Sequence, residues 1–138
     1  KAGPWAIERD CNALAQAEAT WAATLTLDDP EQSREWEPGA ATPEDRIEAL
    51  QLAKACGLQT WVSFEPVLDP DVVLELIDAT ADFVDLYKVG KLNYHPLAKE
   101  IDWADFKERV EAKLQSLGKP YYLKRDLVDA WHKSRKAA

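Results

Sequence analysis

The hydrophobic pattern changes period several times along the chain, and each change marks an element. From Gln59 to Asp69 the residues read Gln-Thr-Trp-Val-Ser-Phe-Glu-Pro-Val-Leu-Asp. Strand side chains alternate faces, so Thr60, Val62 and Phe64 share one side and Trp61, Ser63 and Glu65 the other. Pro66 has no N–H for a ladder, so the strand is expected to stop with the Glu65 carboxylate at its C-terminal tip. Trp21 to Leu27 alternates likewise, with Trp21, Ala23, Leu25 and Leu27 on one face and Ala22, Thr24 and Thr26 on the other. Phe83 to Val89 predicts a third strand, apolar on both faces and ending at Gly90-Lys91-Leu92-Asn93.

Helical spacing fills the intervals. Trp5 to Glu18 suits an amphipathic helix, and Thr42 predicts an N-cap with Pro43 at the first position and Glu44 and Asp45 in the first turn. Ile47, Leu50 and Ala53 mark that helix's buried stripe, and Gly57 its C-terminal cap. Asp69-Pro70 starts a helix through about Thr80, with Val72, Val73, Leu76 and Ile77 available for burial. Asp102 caps a helix from Trp103 to about Leu117, whose stripe is Trp103, Phe106, Val110 and Leu114 and whose stop is Gly118. Residues 28–41, rich in acids, proline and glycine, predict a long functional loop. A short Tyr121-Tyr122-Leu123 segment and a basic tail helix over about 126–138 finish the chain.

Strands alternating with helices of crossover length give parallel pairing with helices over one face. The expected fold class is α/β, a partial TIM-like (β/α) barrel of about three parallel strands in a single domain, 1–138. Three strands cannot close a barrel, so two open edges are expected, covered by an upstream half or by a second copy. At 138 residues the chain falls short of the roughly 250 of a complete eight-fold barrel. It contains no methionine and begins at Lys1, which points to something upstream.

The net charge of −8 disfavours a nucleic-acid partner. No apolar run approaches the roughly 20 residues of a membrane span and no leader pattern is present, so a soluble cytoplasmic protein without a membrane partner is expected. Cys11 and Cys56 lie far apart without metal-ligand spacing and read as small buried residues in a reducing compartment.

Strand tips and the loops after them collect Lys1, Thr24, Thr26, Glu37, Arg46, Ser63, Glu65, Lys88, Lys91 and Asn93. That mixture of charges and hydroxyls suits a ligand with its own carboxylate, ammonium and sugar hydroxyls. Solvated or salt-bridged surface positions are the ordinary fate of such groups. Glu65 and Lys88 are set apart because a charge inside or ending an apolar strand is costly without a partner, and they could pair with each other. His95 and His132 have no companions at metal-ligand spacing, and no Ser-His-Asp arrangement or phosphate loop is present. Trp61 is read as a stacking surface for a base, and the other tryptophans as packing helices against the sheet.

Several motifs in order, Lys1-Ala2-Gly3, Arg9-Asp10, Thr24-Leu25-Thr26, Trp36-Glu37-Pro38-Gly39, Thr42-Pro43-Glu44-Asp45-Arg46-Ile47-Glu48-Ala49-Leu50, Ser63-Phe64-Glu65-Pro66-Val67 and Lys88-Val89-Gly90-Lys91-Leu92-Asn93, resemble the second half of radical SAM proteins related to spore photoproduct lyase. They cover nearly the whole chain. The resemblance implies a partial (β/α)6 barrel in which a 4Fe–4S cluster cleaves S-adenosylmethionine to a 5′-deoxyadenosyl radical, with lyase-like chemistry in the parent protein. The family holds its cluster on a CxxxCxxC loop after the first strand, which this chain lacks, so radical chemistry is not expected of the chain alone. By the resemblance, Lys1 and Arg46 contact the methionyl carboxylate, Thr24 and Thr26 lie near the ribose, and Ser63 and Glu65 lie near the ribose and the amino-acid part. Lys88 and Asn93 fall on the substrate side, and no catalytic residue or metal ligand is assigned within this chain. The alternative is a non-catalytic α/β module that pairs its sheet edges with a second copy or a partner.

Overall fold

Proline at the first helical position opens four of the six helices in the computed structural model, which describes residues 3–137. Its fixed φ suits that position, where its missing N–H goes unneeded. The four are α1 (Pro4–Gln16), α2 (Pro30–Trp36), α3 (Pro43–Ala55) and α4 (Pro70–Thr80). Asp29 and Asp69 accept first-turn N–H groups, and Thr42 and Asp45 cap α3 reciprocally. Asp102 does the same for α5 (Trp103–Ser116), and α6 (Arg125–Ala137) ends the described chain. Gly57 and Gly118 take positive φ just past α3 and α5, where Leu58 N–H donates to the Ala53 carbonyl and Lys119 N–H to that of Leu114.

Four strands, β1 (Thr20–Thr24), β2 (Gln59–Phe64), β3 (Leu86–Val89) and β4 (Tyr121–Leu123), form one parallel sheet in the order β1-β2-β3-β4. The apolar face of that sheet, Val62, Phe64, Tyr87 and Val89, meets Leu50 of α3, Val73, Leu76 and Ile77 of α4, Phe106, Val110 and Leu114 of α5, and Leu127 of α6. Burial of each such side chain stabilises the fold by about 1.5–3 kcal/mol. The Tyr87 hydroxyl pairs with the Thr80 hydroxyl at 2.8 Å, and burial pushes its pKa up to about 12. At the other end of the strands, Asp85 accepts from the Thr60 N–H at 2.9 Å and from Lys54 Nζ at 2.6 Å.

Several expectations need correction. The sheet has four strands rather than three, because Pro120 and the three residues of β4 continue the ladder on β3: Tyr87 N–H donates to the Pro120 carbonyl at 3.1 Å and Lys124 N–H to that of Val89 at 2.8 Å. The third strand starts at Leu86 rather than Phe83, since the N–H groups of Phe83 and Val84 are spent on the Thr80 carbonyl that ends α4. Residues 28–41 hold α2, nucleated by Asp29 and Pro30. Not every tryptophan wedges a helix onto the sheet: Trp103 is buried and Trp21 packs partly against the core, whereas Trp5 and Trp36 are exposed. Cys11 and Cys56 are half-buried and joined in a disulfide, not two free thiols, because α1 lies along α3 over Ile7, Ala53 and Leu58 and brings their Cα atoms to 5.9 Å.

Candidate functional site

Parallel register turns the open face of the sheet into rows. Ala22, Trp61 and Leu86 are partners in one row, and Thr24, Ser63, Lys88 and Tyr122 in the next. Two residues further along each chain stand Thr26, Glu65, Gly90 and Lys124, at the C-terminal ends of the strands. Ladder bonds persist there: Leu25 N–H donates to the Ser63 carbonyl at 3.1 Å and Gly90 N–H to that of Phe64 at 3.0 Å. Alternation of side chains therefore collects the polar residues of four strands on one rim, where chemistry sits in parallel α/β sheets.

Within that rim, Glu65 and Lys124 form an ion pair. Gly90 gives the carboxylate its room, since a Cβ on Gly90 would lie 2.9 Å from Glu65 Cδ. Lys88 lays its ammonium over the Trp61 ring at 3.7 Å from the centroid, so Glu65 and Lys88 each have a partner other than one another. An open groove of about 560 Å³ is bounded by Trp61, Ser63, Lys88, Tyr122 and Lys124. The Thr26 hydroxyl is buried yet finds no hydrogen-bond partner among the described residues. A buried hydroxyl left unpaired costs on the order of 1–3 kcal/mol, which a bound acceptor or donor would offset.

Arg46 is placed differently from the others. Its side chain is 2% exposed, with Nε donating to the Ala41 carbonyl at 2.9 Å and Nη1 to the Thr24 carbonyl at 2.8 Å. Nη2 lies 2.6 Å from Glu37 Oε2, close enough for an ion pair but not aligned as a hydrogen bond. The guanidinium thus fastens the segment before α3 and the α2–α3 loop to the end of β1. Asn93 is drawn to one side, accepting from Lys91 at 3.1 Å and donating to Asp126 at 2.9 Å. The Trp36 and His95 rings meet edge-on at 5.1 Å, joining the end of α2 to the loop after β3. Lys1 lies outside the described residues.

Thr24, Thr26, Ser63, Glu65 and Lys88 therefore share one rim, with Arg46 beneath its β1 end and Asn93 at its border. Sequence reasoning missed Tyr122, Lys124 and the gap at Gly90. The signal was available for Lys124, which follows the Tyr-Tyr-Leu segment as Glu65 follows the earlier strand. Among the described residues no group of three or more His, Cys, Asp and Glu could hold a metal, and both cysteines are consumed by the disulfide. The described residues thus do not fit an iron–sulfur cluster, whereas the hydroxyl and ionic groups of the rim are of the kind that hold a polar ligand.

No protein-family model and no curated protein matches this sequence. Its fold is similar to that of SuiB from Streptococcus suis in complex with the precursor peptide SuiA, with a TM-score of 0.66 at 16% identity over 90% of this chain and 31% of that one. SuiB bound to S-adenosylmethionine gives a TM-score of 0.66 at 15% identity over 89% and 32% of the two chains. A further SuiB structure gives 0.60 at 16% identity over 83% and 28%. The chain spans about a third of the length of these structures. At such identities the likeness establishes the fold alone: parallel strands alternating with helices, part of a (β/α) barrel. No helix among the described residues is long and apolar enough to cross a membrane.

Proposed function

We propose that this chain is the C-terminal portion of a radical SAM enzyme and supplies part of the S-adenosylmethionine and substrate walls of its barrel. The observation that carries the reading is the rim itself: a buried hydroxyl without a partner, Thr26, beside Ser63 and the Glu65–Lys124 pair at the ends of parallel strands. One matched fold, SuiB, is solved with S-adenosylmethionine. The narrower resemblance, to the spore photoproduct lyase-related group, rests on the sequence motifs alone, and the fold likeness to SuiB lends it nothing.

In this reading Thr24, Thr26 and Ser63 hydrogen-bond the ribose and Glu65 receives the ammonium of the amino-acid part. Lys1 and Arg46 serve the methionyl carboxylate, Arg46 through the β1 end that it fixes. Lys88 and Asn93 face the substrate. When bound, S-adenosylmethionine supplies the hydrogen-abstracting chemistry, and the cluster belongs to the preceding part of the barrel, which pairs with the open edge of β1. The parent protein acts in the cytoplasm, with neither membrane nor nucleic acid as this portion's partner.

Calorimetric titration of S-adenosylmethionine into the full-length reconstituted protein tests the reading. Glu65→Ala and Ser63→Ala should each weaken binding about tenfold, the loss of one hydrogen bond to a charged or polar ligand. Unchanged affinity in both removes the site. The parent should also carry CxxxCxxC roughly 80 to 120 residues upstream, two or three βα units of 30 or more residues each. The open edges at β1 and β4 equally suit a non-catalytic module that self-associates. A tight dimer in sedimentation, with no S-adenosylmethionine binding, would favour that second reading.

A further inference from the structure

The groove over Trp61 carries an ammonium, Lys88, to which S-adenosylmethionine recognition gives no ionic partner. Its lining holds two ammonium groups, Lys88 and Lys124, and Lys124 is taken up by Glu65. Lys88 has an aromatic face beneath it and no carboxylate at ion-pair distance among the described residues. One uncompensated positive charge therefore stands on the concave side of a chain whose net charge is −8. A partly desolvated ammonium in a hollow attracts an anion more strongly than the same group in open water. Lys88 is flanked in register by Ser63 on β2 and Tyr122 on β4, with strands roughly 4.8 Å apart, so a hydroxyl-bearing residue neighbours it on each side. Trp61, in the adjoining row, supplies the groove's apolar wall.

We propose that this groove binds the substrate through a single carboxylate, received by Lys88 Nζ with the Tyr122 hydroxyl donating beside it, while the apolar stem of the substrate lies against Trp61 beside the ammonium. One free positive charge matches a monoanion. A phosphate dianion would leave a negative charge unmatched on an already acidic protein. Calling the occupant a substrate rests on the radical SAM reading, whereas the carboxylate preference rests on the groove itself.

The test is calorimetry on the full-length protein with phenylacetate as the probe, 2-phenylacetamide as its neutral counterpart and phenyl phosphate as a dianion, each with and without saturating S-adenosylmethionine. Phenylacetate should bind saturably in both conditions, the amide about tenfold more weakly or worse, and phenyl phosphate no more tightly. Lys88→Met should lose about tenfold in phenylacetate affinity, Lys88→Arg should largely restore it, and Tyr122→Phe should lose roughly two- to fivefold. Unchanged thermal midpoints show that the variants fold. Equal binding of amide and acid, undiminished binding in Lys88→Met, tighter phenyl phosphate, or displacement by S-adenosylmethionine would each overturn the assignment, the last by giving the groove to the cofactor. If S-adenosylmethionine binds and phenylacetate does not, only this inference fails. If phenylacetate binds in a Lys88-dependent way and S-adenosylmethionine does not bind, the enzyme reading fails and the carboxylate site stands.

Discussion

Replacing Gly90 by alanine separates a site built for a ligand from a site that is only well packed. Gly90 does not sit at positive φ, so its backbone accepts a side chain. The added Cβ would stand 2.9 Å from Glu65 Cδ, and ordinary contact begins at 3.4 Å, so the carboxylate must retreat by at least about 0.5 Å. It can do so, being at the far end of a flexible side chain that is 32% exposed. The loosened Glu65–Lys124 pair is a surface ion pair worth about 0–1 kcal/mol, and stiffening the unfolded chain returns about 0.4–1 kcal/mol. Stability should therefore stay within about 1 kcal/mol of the parent, a shift of no more than roughly 4 °C in Tm. A charge-assisted hydrogen bond to the ligand contributes about 1.5–3 kcal/mol, and displacing its acceptor should forfeit most of that, some tenfold or more in S-adenosylmethionine affinity. Calorimetric titration and thermal melts of Gly90→Ala and Gly90→Ser provide the two readouts. Native affinity, or a Tm lowered by 8 °C or more with affinity intact, would refute the role given to Gly90 and Glu65.

Arg46→Met should destabilise the protein by about 2–4 kcal/mol, measured by urea unfolding, because the Ala41 and Thr24 carbonyls lose a buried, charged donor; a loss below 1 kcal/mol would contradict the fastening role. Asp85 has its pKa lowered: burial pushes it up, but the Lys54 hydrogen bond, the Thr60 N–H, the Lys54 charge and the Thr60 hydroxyl together outweigh burial. Its stabilisation is thus fully present above the unfolded carboxylate pKa of about 4 and is lost as pH falls through the lower folded value. Asp85→Asn should therefore flatten the pH dependence of stability below about pH 4; an unchanged acid slope counts against this. Closing a loop of 45 residues, the Cys11–Cys56 bond should add about 4 kcal/mol on the chain-entropy relation, so a reducing agent should lower the urea midpoint without abolishing folding. The cytoplasmic placement proposed above carries its own outcome, since reducing compartments keep thiols free: alkylation before cell lysis should label both cysteines, and protection of both would move the protein to an oxidising compartment.

Helix starts were highly legible because each is written locally. An acceptor followed by proline at Thr42-Pro43 and Asp69-Pro70 is enough to satisfy first-turn donors whatever the rest of the chain does. The same signal at Asp29-Pro30 starts α2, but the acids, proline and glycine around it carry the composition of a loop and mask it. Strand edges were less legible, since membership in a ladder is decided by the neighbour: Phe83 looks like strand but gives its N–H to the end of α4, while three residues at Tyr121 become a strand only because β3 lies beside them. Within the site, the alternation of Ser63 and Glu65 was enough to put them on one face. Pairing was not legible, because the partner of Glu65 comes from Lys124, 59 positions away, and that of Lys88 is an aromatic ring. The disulfide was invisible for the same reason: only the docking of α1 on α3 brings Cys11 to Cys56.

The most direct measurement is a crystal structure of the full-length protein with S-adenosylmethionine bound. The ligand should lie across the ends of β1 and β2, with Thr26 and Ser63 hydroxyls within hydrogen-bond distance of it and Glu65 on its ammonium. S-adenosylmethionine bound elsewhere, with the Thr26 hydroxyl still unpaired, would contradict the central claim.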